Sequence, residues 1–107
     1  MPRNVAEFQI IGNVGKITRR EKVAYVSVAA NYNWREDGEW KTDTVWNSVV
    51  CFQNVGSQIE GAAVGDLVRV TGRPRETRHG EGVDEKFRTE LVAETFSVLA
   101  KGGGEEK

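Results

Sequence analysis

All three tryptophans of the chain, Trp34, Trp40 and Trp46, lie between Ala30 and Phe52, and two are followed directly by a cation, Arg35 and Lys41. Phe87-Arg88 repeats that pairing. An aromatic ring stacks on any nucleic-acid base for ~1–3 kcal/mol, and a nearby cation adds a salt-sensitive contact to phosphate. The chemistry these residue types could do is therefore stacking on a flat partner, with charge alongside. Between Arg69 and Arg78 stand four arginines (Arg69, Arg73, Arg75, Arg78) and one acid, Glu76. The net charge of −1 argues mildly against a polyanionic partner, but the acids gather elsewhere, at Glu81, Asp84, Glu85, Glu105 and Glu106.

Bond-making chemistry finds no comparable support. His79 is the single histidine and sits in a polar, glycine-containing stretch, where a solvated loop residue is the expected role. Cys51 is the single cysteine, so neither an intrachain disulfide nor a cysteine-based metal site is expected, and no metal or cofactor is implied. The carboxylate pairs Glu36-Asp37 and Asp84-Glu85 fall in hydrophilic turns, and Gly80-Glu81-Gly82 lacks the Lys-Ser/Thr ending of a phosphate loop. The expectation is a protein that is not an enzyme.

These rings must be held by strands. Val5 to Ile11 reads as a first strand ending in Gly12 and Gly15, where a bend or bulge is expected. Lys22 to Tyr32 alternates, with Ala24, Val26, Val28 and Ala30 on one side and Val23, Tyr25, Ser27 and Ala29 on the other. Asp37-Gly38 marks a turn within a polar tip that places Trp34 and Trp40 near the ends of a long hairpin loop. The return strand, Thr42 to Phe52, puts Trp46, Ser48, Val50 and Phe52 on one face and Val45, Asn47, Val49 and Cys51 on the other. Parity alone leaves open whether Trp46 and Phe52 are platforms or core.

Asn54 to Val64 is the one candidate helix, weakened by Gly56 and Gly61. Leu67 to Arg73 follows as a fourth strand with Val68 and Val70 inward, then a mobile polar loop from Arg75 to Lys86, then a last strand from Phe87 to Leu99. Five strands with one short helix between the third and fourth is the order of an OB-fold Greek-key barrel, a mostly β class. One domain over residues 1–100 and a short flexible tail over 101–107 are expected. No signal peptide or membrane span is read, and a reducing cytoplasm fits.

Several stretches in register resemble the bacterial single-stranded DNA-binding proteins, the homotetrameric OB-fold family of replication and repair. They are Ile11 to Gly15, Val26 to Ala29 running on to Trp34-Arg35, Thr44 to Phe52, Gly65 to Arg73 and Phe87 to Val92. The resemblance implies that Trp34, Trp46 and Phe52 stack bases, and it turns Trp46 and Phe52 towards DNA. It places Arg73, Arg75 and Arg78 along the DNA path and Asn47 near subunit contacts. Arg35, Lys41 and, from its local setting alone, Trp40 complete the expected interface.

There are departures. A tryptophan common in the family between the last two strands has no counterpart, with His79 near that place, and Ser48 stands where a basic residue is frequent. Both imply weaker or shorter contact, offset in part by Trp40. The family's long tail with an acidic, apolar tip is also without a match in GGGEEK, so the resemblance does not extend to the tail's recruitment of replication or repair proteins. The expectation is sequence-independent binding and protection of single-stranded DNA in replication, recombination and repair, by a cytoplasmic, nucleoid-associated homo-oligomer, tetramer ahead of dimer. The alternatives are a primosome-type OB dimer and a structural OB subunit that binds only protein.

Overall fold

The computed structural model describes residues 3–79 and 86–102, with the side chains of His79 and Lys86 left aside. Among the described residues the chain forms β1 (Phe8–Arg19), β2 (Val23–Glu36), β3 (Glu39–Phe52), a 3-10 turn (Gln53–Val55), the short helix α1 (Gly56–Ile59), β4 (Leu67–His79) and β5 (Lys86–Ala100). The strands close into a barrel in the order β1-β2-β3-β5-β4. β1 pairs antiparallel with both β2 and β4, and a short parallel contact, Val49 with Leu91 and Val50 with Val92, joins β3 to β5. This is the expected five-stranded OB architecture.

Alternation selects the core. Val26, Val28, Val49, Val68 and Val70 are fully buried, joined by Ile10, Val14, Cys51, Ala93 and Phe96. β-branched residues suit this half-buried pleated wall. Val55, Ile59 and Ala62 close one end. Burial there pushes the Cys51 thiol up to about 11, which keeps it neutral and inert. β1 bulges at Gly15, since Val14 pairs with Val28 but Lys16 with Ser27.

The helix is a correction: it occupies only Gly56–Ile59 rather than Asn54 to Val64. Four residues cannot repay helix nucleation alone, and the glycines flanking the turn leave Val55 and Ile59 to hold it by packing. The hairpin tip is the second correction. Asp37 and Gly38 both take positive φ, 52° and 80°, and form a two-residue turn directly between Glu36 and Glu39. Such a turn matches strand twist, so the ladder runs to the tip and Trp34 and Trp40 stand on regular strands instead of in a loop. β4 likewise continues through Arg75 and Arg78. The expectations for Glu81, Asp84, Glu85, Gly80-Glu81-Gly82 and residues 103–107 lie outside the described residues, as does the side chain of His79.

Asp66 locks the ends of the barrel wall together. It is buried and accepts hydrogen bonds from the Lys101 ammonium (2.7 Å), the Gly102 amide (2.7 Å) and the Ala63 amide (2.9 Å). The Lys101 bond first, then the two amides, lower its pKa to about 2.

Candidate nucleic-acid interface

The register of β2 on β3 determines which rings share a face. Ala29 pairs with Trp46, Ser27 with Ser48, Tyr25 with Val50, Val23 with Phe52 and Arg35 with Trp40. Trp40, Trp46 and Phe52 therefore lie along one face, which on the barrel is the outer one, because Val49 and Cys51 point inward. Phe52 is partly exposed and Trp46 is 59% exposed, so neither ring is core.

Trp46 is held in a defined way. Its indole reaches across β2 to β1, where a Cβ built on Gly15 would collide with the ring's outer edge. Ala29, the cross-strand partner, lies under this span and is buried although it is on the outer face. A glycine bulge and an alanine thus make a shelf two strands wide. The outer edge of the ring meets the shelf at Gly15, and more than half of the residue stays open to solvent. A ring that is already ordered loses little freedom when a base stacks on it.

Phe52 stands six residues further along β3, roughly 20 Å at strand spacing. The Arg75 guanidinium lies over its ring at 5.5 Å from the centroid, a cation–π contact. Arg75 also donates to the Glu90 carboxylate at 2.8 Å. Phe52 borders a cleft of about 350 Å³ whose rim carries Arg19, Arg20 and Lys22.

Arg35 and Trp40 form a pair across the ribbon, with the guanidinium 5.6 Å from the ring centroid and a hydrogen bond from Arg35 to the Gly38 carbonyl. The sequence neighbours Trp34 and Arg35 face opposite ways, so the ring–cation unit is cross-strand rather than sequential. Arg78 makes a similar contact over Phe87 at 5.5 Å. Trp34 pairs with Lys41 on the face opposite Trp40 and Trp46. The strands therefore gather Trp40, Trp46, Phe52, Arg35, Arg73 and Arg75 on one side and leave Trp34 and Lys41 on the other.

The expected cations are not idle. Arg73 pairs with Glu94 (3.5 Å), Arg75 with the partly buried Glu90 (2.8 Å) and Lys41 with Glu39 (3.5 Å). Lys16, beside the Trp46 shelf in the Ser27–Ser48 row, has no ion pair or hydrogen bond among the described residues. Lys16, Tyr25 and Gly15 belong to this face, yet reading along the sequence assigned none of them to the interface and marked Gly15 only as a bend or bulge. Parity placed Tyr25 with Ser27 and Ala29, but only the pairing of β1 on β2 and β2 on β3 brings Lys16 and Gly15 to Trp46.

Solved structures share this fold. The fold is shared with the Plasmodium falciparum SSB in its complex with ssDNA, with TM-score 0.69, 26% identity, and coverage of 92% of this chain and 98% of that one. It is shared also with the mitochondrial single-stranded DNA binding protein Rim1 of S. cerevisiae (TM-score 0.67, 22% identity, 92% and 99% covered). A small single-stranded DNA-binding protein of Streptomyces coelicolor is comparable (0.66, 17%, 90% and 95%). No curated sequence matches the chain. The family model described as the single-strand binding protein family matches residues 5–99, which takes in β1 to β4, all of β5 but Ala100, and every ring described above. Barrel, register and family model together place the chain in the single-strand binding protein family, whose members are DNA-binding proteins and not enzymes.

Proposed function

We propose that this protein binds single-stranded DNA without sequence preference, by stacking bases on Trp46, Phe52, Trp34 and Trp40 and by phosphate contacts from Arg35, Lys41, Arg73, Arg75 and Arg78. The observation that carries it is Trp46, anchored at the edge of its indole against Gly15 and still 59% exposed. Such a ring accepts any base, because every base has a flat face. The complex of the Plasmodium falciparum relative with ssDNA supports the choice of ligand. Work in replication, recombination and repair, in a nucleoid-associated cytoplasmic homo-oligomer with tetramer ahead of dimer, is the setting that family membership favours. Titration with oligo-dT at low and high salt, beside duplex DNA, tests the proposal. Tryptophan emission should be quenched by single strands alone. Equal response to duplex, or no response to either, would refute it.

A further inference from the structure

The ribbon face that carries Trp34 holds a second ring. Tyr32 lies two residues before Trp34 on β2, so both point the same way, and they are 59% and 43% exposed. Across the ladder Tyr32 pairs with Asp43 and Trp34 with Lys41, while Ala30 and Val45 form the next row towards the barrel. None of these side chains is part of the core cluster. Folding gives no reason for two large rings here, on a ribbon that projects past the closed part of the barrel.

Their spacing gives one. Residues i and i+2 of a strand are about 6.7 Å apart, and that is close to twice the ~3.4 Å rise between stacked bases. A gap of that size takes one base between two rings. Lys41 stands beside it to meet a phosphate. Asp43, on the same face of β3 as Lys41, stands across from Tyr32, with no hydrogen bond or ion pair among the described residues. We infer that Tyr32 and Trp34 form a clamp for a single unpaired base on the ribbon face opposite Trp46. This makes the ribbon a two-sided DNA contact and Tyr32 a stacking residue. The inference rests on the single-stranded DNA reading above and adds a base-binding place to it.

The test is a set of affinities for a labelled oligo-dT, read by anisotropy at one salt concentration, for the wild type, Tyr32→Ala, Tyr32→Phe, Trp34→Ala and the Tyr32→Ala/Trp34→Ala double variant. Loss of one stacked ring corresponds to about a 5- to 140-fold weaker Kd, ~1–3 kcal/mol at 1.4 kcal/mol per decade. Tyr32→Ala should fall in that range and Tyr32→Phe should bind as the wild type does. The double variant should lose less than the product of the two single losses, because the rings hold the same base. If the wild type binds and Tyr32→Ala stays within twofold of it, the clamp is wrong while the DNA reading stands. The same holds if Tyr32→Ala changes the mass of the native assembly but not affinity, since the face would then be a contact between copies. If the wild type does not bind, both fall.

Discussion

Gly15→Ala is the sharpest probe of the interface. Gly15 has no positive φ, so an alanine fits its backbone, and its Cβ meets only the outer edge of the Trp46 indole. Something must move, and the exposed ring is free to. Displaced from the shelf, Trp46 keeps its chemistry but loses its preset orientation. The loss of binding is bounded by the whole stack, ~1–3 kcal/mol, or about 5- to 140-fold in Kd. Stability should change by no more than about 1 kcal/mol. Lost ring contact is offset by the ~0.4–1 kcal/mol that replacing glycine gains through the unfolded chain. The assay is anisotropy with labelled oligo-dT for Gly15→Ala, Trp46→Ala and the pair, with thermal melts alongside. Acting through Trp46, Gly15→Ala should cost nothing further once Trp46 is alanine. An undiminished loss in the Trp46→Ala background, or none in the wild type, would refute the shelf.

Three more outcomes follow from the charges. Glu90→Gln releases Arg75 from a partly exposed pair worth ~0–1 kcal/mol, so oligo-dT affinity should rise up to about fivefold and the dependence of log K on log salt should steepen; unchanged affinity with a shallow salt slope in wild type and variant alike would show that Arg75 meets no phosphate. Lys16→Ala should lower that salt slope by about 0.7, one phosphate on a single strand, and a slope equal to the wild type's would remove Lys16 from the DNA path. Asp66→Asn should lower the melting temperature at neutral pH. The Asp66 pKa is depressed from 3.8 to about 2, so its contribution is full above about pH 4 and lost as pH falls towards 2. The gap between variant and wild-type melts should close over that window, and a gap independent of pH would point to packing alone.

Much of this was legible in the residues. Alternation of Ala24, Val26 and Val28 against Tyr25, Ser27 and Ala29 identifies both faces of β2, and the buried valines of β4, Val68 and Val70, follow the same rule, whereas β3 buries Val49, Val50 and Cys51 in succession. Asp37-Gly38 marks the turn. What parity cannot carry is register, since a strand's inner and outer faces are local but its partner's position is not. Gly15 under Trp46 depends on a bulge in β1 and two ladders, and Arg35 over Trp40 depends on the turn having two residues and no more. The ion pairs Arg73–Glu94 and Arg75–Glu90 cross β4 and β5 and are invisible to a reading of adjacent residues.

Those pairs bear on how an acidic chain, net −1, could hold a polyanion. A protein cation that neutralises a phosphate releases a counterion condensed on the DNA, and that release gives DNA binding its steep salt dependence. A cation that must first leave a carboxylate gives less, because the freed carboxylate stays close and repels the phosphate that replaced it. With Arg73, Arg75 and Lys41 all so engaged, affinity has to come mostly from the rings, and stacking is far less sensitive to salt. The proposed mode therefore carries a signature of its own. Removing a ring should change Kd by a similar factor at low and high salt, whereas removing Lys16 should matter only at low salt. A wild-type slope as steep as that of a basic groove would mean that the carboxylates swing away on binding, and Glu90→Gln would then have little left to add.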